Sequence, residues 1–338
     1  KLITSHWASK KVAVMDNNLI SPLGIFTWTI IEGISMVAIL GNGFIIVVSG
    51  NRWLQARKMV PSDFLLTSLS ISRVFLHVTF GLIYVLEVSI GETFMYTFAW
   101  ETISFVWVFS NMASFWCASW LSVFYCVKVT NFANRFLLWF KPRINVLSVR
   151  LLGMSISSLV FMSIPFFQSY AEEKKQCNLT KNLQVNVSKI EVCRALFLIF
   201  RRFQLIVVLM NFIISMIATI LLLTSLWKHI RNLKKSEIGA KDLSAQVHIN
   251  VMKPLVFYIF LYLSYFAGVL NFASHSVHNV DAMERLSDIL LTIFPATHTI
   301  ILLLSNPKLK ALLVRTLNTR QKVDQEKGHQ TCISCLQG

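Results

Sequence analysis

The apolar residues of this 338-residue chain are concentrated in seven runs, which short polar and basic segments separate. The runs cover residues 24–49, 63–88, 100–127, 144–168, 195–227, 254–276 and 287–305. A helix needs about 20 apolar residues to cross a hydrocarbon layer about 30 Å thick. Because helices satisfy their own backbone hydrogen bonds in lipid, the pattern predicts an all-α membrane protein, a seven-transmembrane helix bundle.

Composition supports a bundle whose surface faces lipid. Hydrophobic residues make up 55% of the chain and charged residues only 14%, with a mean hydropathy of +0.60. A water-soluble chain of this composition would lack the polar surface to cover itself. We therefore predict three regions: an extracellular N-terminal segment at 1–23, the bundle at 24–305, and a cytoplasmic tail at 306–338 with a short amphipathic helix. No room is left for a separate soluble enzymatic domain.

The distribution of basic residues predicts the orientation of the bundle. Of the 32 Lys and Arg residues, 19 lie in the segments 50–61, 128–143, 228–253 and 306–338, nine lie on the opposite side, and four lie within the runs. Basic residues mark cytoplasmic loops, so the N-terminus is expected outside and the C-terminus inside. The net charge of +16 then reflects membrane topology, and nucleic acid is not an expected partner. Residues 1–23 show no signal peptide, so the first span is expected to act as its own signal.

The longest predicted external loop carries glycosylation and disulfide candidates. Sequons begin at Asn178 and Asn186, and an acceptor asparagine is modified only on the luminal side. The same loop holds Cys177 and Cys193, the two cysteines placed to pair in an oxidising compartment. One sequence does not fix the distance between them, so a disulfide and two free thiols both stay open.

Arg73 is the outstanding polar residue within the predicted spans. It lies about three turns into the second run, where a charged side chain persists only with partners or a water-filled cavity. Asn42 in the first run and backbone carbonyl groups near the end of the seventh are candidate partners. A structural hydrogen-bond hub and a direct signalling role are both open.

Several polar motifs resemble one family of seven-helix receptors. Residues 63–73 are similar to that family's D-x-I-L-x-x-L-A-I-S-R run, with Ser70 in place of its alanine, and residues 121–132 are similar to its L-S-x-F-Y-x-x-K-I-A-N-F segment. Residues 225–229 resemble S-L-W-x-H, residues 248–253 resemble H-x-x-A-x-K, and residues 295–299 resemble P-x-x-H-S. Five motifs in the correct order make the chain similar to the type 2 taste receptors, which are bitter taste receptors coupled to G proteins.

The resemblance implies an agonist site in the outer half of the bundle. Trp107 and Asn111, one turn apart on the third span, match family positions that contact agonists. Tyr265 matches an aromatic switch below the ligand, and Asp288 a polar agonist contact that could favour cationic compounds. For Trp107 the alternative is an interfacial or lipid-facing anchor. For Asp288 it is exposure at the external rim.

The resemblance also implies plasma-membrane localisation, bitter small molecules as agonists, and a gustducin-like heterotrimeric G protein of the Gi class as partner, with no cofactor or metal. The basic residues of the cytoplasmic face could contact either an acidic surface of this partner or anionic lipid headgroups, and for most of the loop residues lipid is favoured. Structural or activation roles are expected for Asn42, Arg73, Phe124, Tyr125, Lys128, His229, His248, Pro295 and His298.

Three alternatives compete with this interpretation. Type 1 vomeronasal pheromone receptors share the layout but have different signatures in spans two and three. A transporter or channel could use Glu32, Arg73 and Arg201 as an ion path, but the chain has no internal repeat. An enzyme is disfavoured because the sequence has no glycine-rich phosphate loop and no H-E-x-x-H motif.

Overall fold

The structure, a computed structural model, describes residues 22–57, 60–90, 98–130, 139–179, 187–235, 241–274, 281–316 and 318. Each predicted span corresponds to one long helix. All seven helices contain a stretch that is long and apolar enough to cross a membrane, which confirms the predicted fold class. They are α1 (Pro22–Ala56), α2 (Pro61–Ile90), α3 (Phe98–Val129), α4 (Ile144–Leu179), α5 (Val187–Lys235), α6 (Lys241–Ser274) and α7 (Asp281–Ser305). A shorter helix, α8, covers residues 307–316.

Local sequence accounts for several helix ends. Both α1 and α2 begin at a proline, whose fixed φ and missing N–H suit the first helical position. Arg57 follows α1 with a φ of 49°, the left-handed conformation that ends many helices, and its N–H donates to the Trp53 carbonyl at 2.9 Å. Asn306 caps α8, since its Oδ1 accepts hydrogen bonds from the N–H groups of Lys308 and Leu309 at 3.1 and 3.3 Å.

The helices pack around α3, which buries the largest share of its residues. Contacts join α1 to α2, α2 to α3, α3 to α5, α5 to α6, α6 to α7, and α7 back to α1. The remaining helix, α4, packs mainly on the outside of α3. This arrangement directs the inner faces of α2, α3, α6 and α7 toward one another.

Polar side chains lie on the inner faces of the helices among apolar core residues, whereas large apolar side chains are exposed on the outer faces. Arg73 and Asn42 are 0% and 1% exposed, whereas Leu40 and Phe161 are each 74% exposed. Such a distribution suits a bundle in lipid, where apolar side chains need no cover and polar groups need internal partners. Small polar side chains also join helices: Ser119 Oγ on α3 donates to the Asn211 carbonyl on α5 at 3.2 Å.

Candidate ligand and activation site

Arg73 lies at the centre of the bundle, hydrogen-bonded to α3 and α7. Its Nη2 lies 2.7 Å from Nδ1 of His298, its Nη1 donates to Oγ1 of Thr299 at 3.1 Å, and its Nε contacts Oγ of Ser114 at 3.4 Å. Because a guanidinium only donates, Nδ1 of His298 must accept and its proton must lie on Nε2. Among the described residues, no carboxylate lies within 4 Å of Arg73. Neutral acceptors therefore hold this charge.

Thr299 connects Arg73 to α1. Its Oγ1 accepts from Asn42 Nδ2 at 3.1 Å and donates to the Pro295 carbonyl at 2.9 Å. The sequence suggested that backbone carbonyl groups near the end of α7 would bind Arg73. That expectation was wrong, since the acceptors on α7 are the side chains of His298 and Thr299. Carbonyl groups in an intact helix already accept backbone bonds, so inward-facing side chains take the guanidinium.

Two of the predicted ligand-binding residues, on α3 and α6, are in direct contact. Asn111 Nδ2 on α3 donates to Tyr265 Oη on α6 at 3.2 Å. Trp107, one turn before Asn111, stacks on Phe80 of α2 with 6.3 Å between ring centroids. Trp107 thus contacts another helix of the bundle, which disfavours a side chain that only anchors in lipid.

Asp288 lies on α7 and is partly buried. Its backbone carbonyl accepts a hydrogen bond from Oγ1 of Thr292 at 2.7 Å. The helix pair α6 and α7 approaches closely here, because a Cβ added at Gly268 would lie 3.0 Å from the Cβ of Leu290. This contact brings the α7 segment that carries Asp288 against the α6 segment that follows Tyr265.

A series of buried rings connects Tyr265 to the Arg73 cluster, which is Arg73 with its hydrogen-bond partners Ser114, His298 and Thr299. The Tyr265 ring lies 5.3 Å from Phe294, and Phe294 lies 5.8 Å from His298, which binds Arg73. Tyr258 lies 4.6 Å from His298 and 5.9 Å from Phe294. In the sequence, these rings are marked by helical spacing on the inner faces of their helices. That spacing does not distinguish them from ordinary core residues. The residues of this region that were not predicted from the sequence are Ser114, Phe115, Tyr258, Tyr262 and Phe294.

The C-terminal end of α3 gathers three of the predicted activation residues. Phe124 is buried, and the ring of Tyr125 meets it edge-on with 5.9 Å between ring centroids. Lys128 Nζ lies 4.9 Å from the centroid of the Phe124 ring. Across the α1–α2 connection, Arg52 and Asp63 form an ion pair of 3.7 Å. His229 is exposed near the end of α5, at the same end of the bundle.

Some predicted residues lie outside the described part of the structure. Asn186 is not described, and the side chains of Cys177, Asn178, Cys193 and His248 are not described although their backbones are helical. Pro295 is buried inside α7, where its carbonyl binds Thr299. The glycosylation and disulfide expectations remain predictions.

Comparison with known proteins identifies the family. A family model described as Taste receptor protein (TAS2R) matches residues 20–321. Taste receptor type 2 member 7 of Mus musculus is 31% identical over 287 residues, which cover 84% of this chain and 92% of the relative. Taste receptor type 2 member 10 of Pongo pygmaeus is 31% identical over 315 residues, covering 92% and 98%. The chain therefore belongs to the TAS2R family, the G-protein-coupled receptors of bitter taste, which are multi-pass plasma-membrane proteins and not enzymes.

Proposed function

We propose that bitter small molecules bind this receptor in the outer half of the bundle, at Trp107, Asn111, Tyr265 and Asp288. The observation that carries the proposal is the hydrogen bond between Asn111 and Tyr265, which joins α3 to α6 one turn from Trp107, whose ring stacks on Phe80 of α2. An agonist site of this kind is mostly apolar with a few polar groups that orient the ligand. Family membership supports a receptor over a transporter and over a vomeronasal pheromone receptor.

Agonist binding would act on the cytoplasmic face through the rings below the site. Tyr265 on α6 contacts Phe294 on α7, Phe294 contacts His298, and His298 binds Arg73 of α2. A shift of Tyr265 would therefore change contacts among α6, α7 and α2 at the centre of the bundle. A ligand shifts a receptor between arrangements only by binding one more tightly than the other. The proposed result is an opened cytoplasmic face near Phe124, Tyr125 and Lys128.

The proposed intracellular partner is a gustducin-like heterotrimer of the Gi class. Lys128 and His229 are exposed at the cytoplasmic ends of α3 and α5, where they could meet an acidic surface of that partner. Membrane lipids are the second proposed partner. Lys308 and Lys310 are exposed on α8 while Leu309 is buried against the bundle, so the two lysines are available to anionic headgroups.

A double-mutant cycle tests the proposed agonist site. Asn111→Ala, Tyr265→Phe and the double variant would be compared for agonist potency in cells that express a promiscuous G protein, after a bitter-compound screen finds activators. We expect each single variant to lower potency about tenfold, and the double variant to lower it by less than the product, because both remove one contact.

Alanine at Trp107 and at Asp288 completes the test. Surface expression measured on intact cells separates lost binding from lost folding. The proposal fails if all four single variants reach the surface and keep the potency of every activating compound.

A further inference from the structure

Glu32 on α1 is a carboxylic acid that takes no part in the proposed agonist site or in the Arg73 cluster. Its Oε1 is inaccessible to solvent and has no hydrogen-bond partner among the described residues. Glu32 forms no ion pair with any described residue, so no described base lies within 4 Å of this carboxylate. A carboxylate at membrane depth is costly unless a cation or a donor meets it.

The fold provides a place for this carboxylate between α1 and α2. A Cβ added at Gly81 would lie 3.2 Å from Oε2 and 3.3 Å from Oε1 of Glu32. The absent side chain at Gly81 thus makes the space that Glu32 occupies. One turn inward, His77 Nδ1 lies 3.2 Å from Ser35 Oγ, so the two helices have a polar seam here rather than an apolar one.

Aromatic rings lie on the external side of this seam. Trp28, one turn before Glu32 on the same face of α1, stacks on Tyr84 at 4.0 Å and contacts Phe80 at 5.4 Å. Phe80 also stacks on Trp107 of α3 at 6.3 Å. All four rings are partly exposed, and aromatic faces attract organic cations. The rings therefore form a continuous wall from the proposed agonist site to Glu32.

We propose that Glu32, with Trp28, Phe80 and Tyr84, forms a subsite between α1 and α2 that binds the ammonium group of cationic agonists, either quaternary or protonated tertiary amines. The carboxylate supplies the opposite charge, the rings supply cation–π contacts, and Gly81 supplies the space. The subsite rests on the proposed agonist site, because Trp107 is common to both. It assigns the recognition of charge to α1 rather than to Asp288.

A binding measurement on purified receptor tests the subsite without any G protein. Benzyltrimethylammonium would be compared with neopentylbenzene, its uncharged carbon isostere, by the thermal stabilisation each gives to detergent-solubilised receptor. We expect the cation to bind wild type more tightly than the isostere does. In Glu32→Gln, which keeps the shape and removes the charge, affinity for the cation should fall about tenfold while affinity for the isostere stays unchanged.

Trp28→Leu provides a second variant that keeps the carboxylate and removes a ring, and it should weaken cation binding by a smaller factor. The proposal is overturned if wild type does not prefer the cation, if Glu32→Gln keeps that preference, or if Asp288→Asn removes it while Glu32→Gln does not. If the receptor binds the cation in preference to the isostere but no agonist makes it signal, that result would instead count against the proposed receptor mechanism.

Discussion

At the scale of single residues, Thr299 gives the most direct test of the central polar cluster. Thr299→Val keeps the shape of the side chain but removes the oxygen that accepts from Asn42 and Arg73. Leaving buried donors without an acceptor costs about 1–3 kcal/mol, so we expect a clearly lower thermal unfolding temperature for purified receptor. Thr299→Ser is the matched control, since it retains the hydroxyl, and it should stay close to wild type. Equal losses in the two variants would assign the effect to packing instead.

The same cluster shows what the sequence could and could not predict. A buried arginine needs partners, and that requirement led to Asn42 as a candidate partner of Arg73. Asn42 instead bonds to Thr299, which in turn accepts from Arg73. The identity of the acceptors depends on how α7 is rotated about its axis. Motif spacing does not determine that rotation, so the roles of Thr299 and Ser114 were not predicted, and the carbonyl groups were wrongly chosen.

At the scale of helices, two glycines differ in the space around them: Gly268 lies where α6 contacts α7, and Gly43 has open space beside it. A Cβ at Gly268 would lie 3.0 Å from the Leu290 Cβ on α7, whereas one at Gly43 would meet nothing within 4 Å. We expect Gly268→Ala to push α6 and α7 apart and to destabilise the receptor. Gly43→Ala should be neutral or stabilising by about 0.5–1 kcal/mol, because alanine restricts the unfolded backbone. Thermal unfolding of both variants in the same detergent checks this, and the opposite ranking would contradict the packing of α6 on α7.

Helix positions were predictable because their cause is local. The length of an apolar run is visible in the sequence, and all seven runs correspond to helices. The ends of the helices were harder to predict from the sequence, as α5 shows. The predicted span was 195–227, but the helix runs over Val187–Lys235, because polar residues with adequate helix propensity continue it past the apolar run. Hydropathy marks the bilayer and does not mark the end of the helix.

At the scale of the whole molecule, the distribution of charge predicts the orientation in the membrane, and N-linked glycans test that prediction. We expect Asn178 and Asn186 to be luminal, so that an N-glycosidase raises the electrophoretic mobility of wild type and has no effect on the Asn178→Gln, Asn186→Gln double variant. Arg320→Ser, which makes a third sequon at Asn318 in the tail, is the control. Because the tail is expected in the cytoplasm, it should gain no glycan. A glycan at Asn318 would reverse the predicted orientation. The absence of any glycan on wild type would refute it.

Coupling between the two faces is the property that requires the whole bundle. Phe294 is the ring that contacts both Tyr265 in the proposed agonist site and His298 beside Arg73. Phe294→Leu keeps an apolar side chain but removes the ring, so agonist affinity should stay within about threefold while maximal nucleotide exchange on the G protein falls about fivefold or more. That range corresponds to the low end of typical allosteric coupling free energies.

Phe266→Leu is the matched control for this coupling. Phe266 directly follows Tyr265 on α6 and stacks on Phe212 of α5 with 4.5 Å between ring centroids, a contact that does not include His298. Its replacement should leave maximal exchange unchanged. If Phe294→Leu lowers affinity and exchange in parallel, the ring contributes to ligand binding alone and the transmission route through His298 is wrong. If Phe266→Leu lowers exchange equally, coupling is spread across the packed rings, and no single contact between α6 and α7 carries it.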